Sequence, residues 1–134
     1  MTTPLRLRAK DVDDLAVLSA MIQDALAPLS DMVFAQEQRR FVIALNRFRW
    51  NEPTPPTRTH ALLSVEGVAR VRMRGIDRSD RDRIMNVLSL TFVDGSAEFT
   101  VSGGGAIRLE VEALDCFLED VGEPWPAQRK PEHE

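Results

Sequence analysis

The sequence predicts an α+β fold: a mostly antiparallel sheet of about seven strands, curved or closed toward a barrel, with one long N-terminal helix and a short C-terminal helix. Three observations carry that prediction. Apolar, β-branched runs recur along the chain between breaks of Gly, Asp and Pro. One stretch near the N-terminus has helical period instead. The stretch from Ile84 to Val111 reads as a three-stranded meander. In it, Ile84 to Val93 is followed by Asp94-Gly95, a strong hairpin signal between apolar runs. Ala97 to Val101 comes next, then Gly103-Gly104-Gly105, then a segment of period 2. There Ile107, Leu109 and Val111 point one way, and Arg108, Glu110 and Glu112 the other. After Ala113 the apolar spacing turns helical through Leu114, Phe117, Leu118 and Val121, and Gly122 ends it. That short helix is expected to cover a sheet edge.

The other elements follow in chain order. Leu5 to Ala9 alternates as a short strand. Asp11 is a good N-cap, and Asp13 and Asp14 suit the positive end of a helix dipole. Leu15, Leu18, Ile22, Ala25 and Leu26 keep helical spacing, so the helix is expected from Val12 to Leu26, with Pro28 as its stop. Ala16, Ala20 and Gln23 on its second face fit either an exposed surface or a close contact. Met32 to Ala35 is a strand and Gln36 to Arg40 a polar turn. Phe41 to Trp50 is a long strand with a mixed pattern. Phe41, Ile43 and Leu45 share a face with Arg47 and Arg49, while Val42 and Ala44 share the other with Asn46, Phe48 and Trp50. A β-bulge, or partial cover on both faces, would explain the switch. Asn51 to Thr59 is a proline-rich loop. Ala61 to Val65 and Val68 to Gly75 are strands around Glu66-Gly67. Asp77 to Arg83 is a loop of mixed charge, and Glu123 to Pro126 a turn. Residues 1–126 are expected to form one domain, and 127–134 a disordered tail. Leu15, Leu18, Ile22, Ile43, Val71, Leu109, Val111 and Phe117 are the expected core.

Composition narrows the class. A chain of 134 residues with 43% hydrophobic and 28% charged residues suits one globular domain. The net charge of −4 speaks against a nucleic-acid partner, which usually selects basic excess. The lone Cys116 excludes an internal disulfide and fits a reducing compartment. No apolar run approaches the roughly 18 residues of a membrane span. The first residues lack the apolar core of a signal peptide, so the cytoplasm is the expected location.

Sites of chemistry are sparse. His60 and His133 are the only histidines; His133 is in the tail, and His60, just before a strand, reads as a solvent-facing or capped residue rather than a catalytic base. Cys116 next to Phe117 reads as an inert, partly buried thiol. Two histidines and one cysteine offer no zinc spacing, and no cofactor is implied. Asp77, Asp80 and Asp82 have the spacing of a calcium loop but lack its glycine and alternate with arginines. Glu110 and Glu112 could pair as acids, but Arg108 beside them fits a cross-strand charge ladder better. The Gly103–Gly105 run joins two strands and opens no helix, so it reads as a turn rather than a phosphate loop.

The arginines are the most distinctive feature. Arg70, Arg72 and Arg74 stand on one face of one strand, Arg47 and Arg49 near the end of another, and Arg78, Arg81 and Arg83 in the adjoining loop. Such a set is either neutralised by Glu98, Glu110 and Glu112 or presented to an anion. Arg47, Arg49, Arg70, Arg72 and Arg74 are therefore the candidate binding residues, for a phosphorylated small molecule or an acidic protein. The functional expectation is a non-catalytic binding or interaction module, with an enzyme or small-anion receptor as the alternative. Open sheet edges add an expectation of self-association.

Five stretches carry a resemblance: Asp14 to Asp24, Arg39 to Trp50, Arg72 to Asp77, Gly104 to Glu112 and Leu118 to Trp125. Together they resemble a family of small alphaproteobacterial proteins known as a domain of unknown function. The resemblance spans nearly the whole chain and implies a bacterial, cytosolic, single-domain protein. It implies no activity, cofactor or catalytic residue.

Overall fold

Ten strands and one α-helix form among residues 3–127, the part that the computed structural model of the chain describes. In order they are β1 (Arg6–Ala9), α1 (Val12–Met21), β2 (Ala25–Pro28), β3 (Met32–Ala35), β4 (Arg40–Phe48), β5 (Thr57–Val65), β6 (Val68–Arg74), β7 (Ile84–Val93), β8 (Ser96–Val101), β9 (Gly105–Val111) and β10 (Cys116–Pro126). All ten belong to one sheet ordered β1-β10-β5-β4-β2-β7-β8-β9-β6, with β3 also on β4. Every pairing is antiparallel.

This corrects the expected architecture in three respects. There are ten strands rather than seven, the C-terminal helix does not exist, and the sheet does not close into a barrel. The expected C-terminal helix is strand β10. Its apolar residues fit both periods, since Cys116, Leu118 and Asp120 are buried while Phe117, Glu119 and Val121 alternate with them. The strand wins because β10 has ladders on both sides, to β1 and to β5. Local spacing carries no trace of those partners. The N-terminal helix is shorter than expected and ends at Met21. Asp24 has a φ of +62° and turns the chain out of the helix. Ala25–Pro28 then pair residue by residue with Ile84–Val87. Ala25 and Leu26 extend the helical stripe in sequence, but β2 takes them into the sheet.

The meander stands where the sequence places it, and β3 has the expected bounds. Asp11 caps α1, its carboxylate accepting from Asp14 N–H at 2.8 Å. The inner face of the sheet is continuous across strands. Phe41 stands opposite Val65, and Val65 opposite Cys116; Ile43, Leu63 and Leu118 make the next row. Helix α1 closes this core with Leu15 and Leu18, and Ser19 Oγ accepts from Leu90 N–H at 2.9 Å. Of the expected core, Leu15, Leu18, Ile22, Ile43 and Leu109 are buried. Val71 and Val111 are half-buried against it. Phe117 is half-buried as well, on the outer side of β10 rather than on a helix. Ala127, expected in the tail, donates its N–H to Pro56 O at 3.0 Å. The rest of that tail lies outside the described residues.

The sheet curls without closing. Val68 N–H donates to Arg39 O at 2.8 Å, which ties the start of β6 to the β3–β4 turn. Beyond that bond β6 pairs only with β9 and β3 only with β4. At the other end, Leu29 N–H reaches Arg83 O and Ser30 N–H reaches Arg81 O, at 2.9 and 3.0 Å. Two strand edges are thus held near each other at both ends and left open between.

Candidate functional site

The open seam between β3 and β6 is a cleft of about 510 Å³. That size is within the range of small-ligand sites, roughly 300–1,000 Å³. Met32 and Phe34 of β3, Phe41 of β4, and Val71 and Met73 of β6 supply an apolar lining. Arg70 of β6 and Arg78 and Arg81 of the β6–β7 loop also line it, and no carboxylate does. Three positive charges therefore face one cleft in a chain whose net charge is −4. The Arg78 side chain makes no hydrogen bond or ion pair with the described residues, and the Arg81 guanidinium makes one long bond, 3.5 Å, to Ser30 O. Arg83 is occupied, with Gly75 O and Ser102 O at 3.4 and 3.3 Å. Gly75, which opens this loop, has a φ of +69°, and a Cβ there would meet Gly104 O at 2.9 Å. The turn that aims Arg78 and Arg81 thus depends on the absence of a side chain.

The structure divides the five candidate arginines. Arg47 and Arg49 are inside the protein, 0% and 4% exposed. Arg47 continues the inner face of β4 below Leu45. Its Nε and Nη2 donate to the Oδ1 and Oδ2 of Asp120 at 2.7 and 2.8 Å. It also donates to Phe48 O at 3.2 Å and Asn51 Oδ1 at 3.1 Å. Arg49 is held by Glu52 and by Thr57 Oγ1. Phe48, on the opposite face, is buried too, so both faces of β4 are covered at this end. That cover accounts for the mixed pattern between Phe41 and Trp50.

Arg70, Arg72 and Arg74 stand exposed on β6. Glu110 approaches Arg70 at 4.0 Å and Arg72 at 3.7 Å, and Glu98 approaches Arg74 at 3.7 Å. These separations exceed hydrogen-bond length, and exposed pairs of this kind contribute about 0–1 kcal/mol. The ladder moderates the charge of the arginines but leaves their N–H donors to solvent or to a ligand. Only Arg70 of the three reaches the cleft. The period of β6 marks its arginines in the sequence. Arg78 and Arg81 read there as part of a solvated loop, because the bonds that dock this loop on Leu29 and Ser30 join residues some fifty positions apart. Their like sign near Arg70 was the one legible hint.

The remaining candidates have structural settings. His60 lies on the outer side of β5, and its ring stands 4.7 Å from that of Trp125. Asp77 is used in its own turn: its carboxylate accepts from Ser79 N–H and Oγ, and these bonds hold its pKa below the ordinary range. Glu112 pairs with Arg39. Among the described residues, no three His, Cys, Asp or Glu side chains are placed to hold a metal ion. No helix there is long and apolar enough to cross a membrane.

Cys116 is fully buried on the inner face of β10. Burial, and then the charge of Asp115, push its thiol up to about 12. The native state therefore keeps a proton that the unfolded chain releases above about 9. Stability is unaffected by this thiol at lower pH and falls as pH rises from there toward about 12. Native protein is expected to resist a thiol-specific colorimetric reagent at mildly alkaline pH and to react once unfolded in urea. Labelling of the native protein at the rate of a small free thiol would contradict this burial.

Fold and cleft together define a class: a small antiparallel-sheet domain with a basic, apolar-lined seam. The sequence profile of the family described as Protein of unknown function (DUF2948) matches residues 5–133, and the chain belongs to that family. No curated protein and no solved structure matches the chain.

Proposed function

We propose that the protein is a non-catalytic binding module of the bacterial cytosol whose β3–β6 cleft takes a small organic anion with an apolar body. The carboxylate or phosphate of such a ligand meets Arg78 and Arg81, with Arg70 alongside. Its apolar part lies on Phe34, Met32 and Met73. The observation that carries this reading is the convergence of three arginines on an apolar cleft lined by no acid. A neutral apolar ligand would leave Arg78 unpaired, and a small inorganic anion would leave the apolar wall wet. The lining also lacks Ser, Cys, His, Asp and Glu, so no nucleophile or general base faces a bound molecule. That favours capture over chemistry.

The test uses a matched pair of fluorescent probes, anilinonaphthalene sulfonate and the neutral N-phenylnaphthylamine. The anionic probe should bind more tightly, and added salt should weaken it. The double variant Arg78→Glu and Arg81→Glu should lose at least about tenfold in affinity, since each charge-assisted contact is worth about 1.5–3 kcal/mol. Both changes are in an exposed loop, so the thermal transition should hardly move. Equal binding of the two probes, or an unchanged affinity in the double variant, would refute an anion site here.

A further inference from the structure

A second surface stands apart from the cleft. The outward positions of an antiparallel sheet facing water are normally polar. Here the register makes them apolar across several neighbouring strands. Val33 faces Val42; Ala44 faces Leu62; Pro28 faces Ile84; Leu26 and Val121 lie in a row with Asn46 and His60. Ile84, Val33 and Leu62 are 62%, 57% and 42% exposed. Among the described residues no helix covers this side, because α1 packs on the inner one through Leu15 and Leu18.

We propose that this outer face is the contact of a two-fold dimer, its occupant a second copy of this chain. Two features favour a like partner. The first is shape. Leu62 forms a ridge between two grooves, one of about 340 Å³ lined by Leu26, Ala44 and Val121, the other of about 440 Å³ lined by Val42, Ser64 and Phe117. Ile84 protrudes at the margin of the first. One face thus carries both a knob and a groove, as a self-matching contact needs. The second is charge. Three ion pairs rim the face, Arg6 with Glu119, Arg8 with Asp115 and Arg40 with Glu66, while Asp31 in the lining of the first groove and Arg58 beside Asn46 add one charge of each sign. The rim is balanced, so it selects neither an acidic nor a basic partner. Two chains of net charge −4 repel each other least where their surfaces are neutral. At strand spacings of about 4.8 Å and row spacings of about 7 Å, the apolar area measures roughly 20 by 20 Å. That is about half of the ~800 Å² per partner of a standard interface, so the rim must join the contact and the dimer should be micromolar rather than permanent.

Sedimentation equilibrium of the full chain at high micromolar concentration tests this. The wild type should show a dimer that dissociates on dilution and that salt strengthens slightly, the opposite of its effect on the cleft. Ile84→Glu and Ser64→Trp should each give monomers, the first by burying a charge and the second by filling the groove, with the melting temperature nearly unchanged. Arg78→Glu with Arg81→Glu should leave the dimer intact. If either face variant fails to fold, methyl shifts of Leu62 and Ile84 in the wild type on dilution report the same contact. A monomeric wild type, a dimer indifferent to both face variants, or methyl shifts that do not move on dilution would overturn the proposal, including the case in which the face serves a different partner.

Discussion

Replacing Asp120 with alanine is expected to destabilise the protein by about 3–5 kcal/mol, because it leaves a buried guanidinium without its counter-ion. Arg47 is 0% exposed and Asp120 7%, so water can take over little of the lost interaction. The carboxylate also holds backbone: its Oδ2 accepts from Leu5 N–H at 2.9 Å, and Asp120 N–H donates to Leu5 O at 2.9 Å. The start of the chain is thus pinned beside β10 by the group that neutralises Arg47. Arg47→Lys should also be costly, since an ammonium cannot donate two parallel bonds to one carboxylate while reaching Phe48 O and Asn51. The double replacement Arg47→Met with Asp120→Leu should be far milder than the sum of its singles, because it removes both charges together. Urea denaturation of the wild type, Asp120→Ala, Arg47→Lys, Arg47→Met, Asp120→Leu and the double replacement checks this. A loss under about 1 kcal/mol for Asp120→Ala would show that the pair is hydrated in solution.

Phe99→Ala is expected to cost a similar amount, about 3–5 kcal/mol. Phe99 is fully buried on β8, and its ring stands 6.2 Å from that of Phe41 on β4. Those strands are not neighbours in the sheet, so the contact spans the interior that the curl encloses. Truncation would empty the space between the two halves instead of relaxing one ladder. Phe41 also lines the cleft, so the packing that stabilises the core shapes the floor of the proposed site. A double-mutant cycle with Phe41→Leu should show coupling between the two rings, on the order of 0.5–1.5 kcal/mol. Additive losses would mean that each ring packs independently.

How much of this was legible depended on where the partner residues lie. The meander from Ile84 to Val111 was readable because its strands pair with their immediate successors through short turns, so the pattern and the pairing are both local. Asp11 announced the start of α1 for the same reason: a cap bonds to a backbone N–H three residues on. Val12 to Leu18 and Cys116 to Val121 look alike in apolar spacing, yet one is a helix and the other a central strand. The difference comes from β1 and β5, which arrive from distant parts of the chain to flank β10. Alternation on β6 revealed the arginine face, and Arg70 remains in the proposed site. Arg47 and Arg49 carry the same residue type at the same period. Their burial follows from Asp120, Asn51, Glu52 and Thr57, which the sequence does not mark as their partners.

Sequence alone determined that this chain is rich in antiparallel strands, that its N-terminal segment opens a helix capped by Asp11, and that arginines alternate along one face of β6. Those properties depend on composition and on periods of 2 and 3.6, which are written over a few consecutive residues. Tertiary structure alone decided which arginines face solvent, that β2 and β10 are strands, and that the sheet stops short of closure to leave a cleft between β3 and β6. Each of these turns on which distant segments meet, and hydrogen-bond partners and neutralising charges brought together by the curl of the sheet leave no local trace in the sequence.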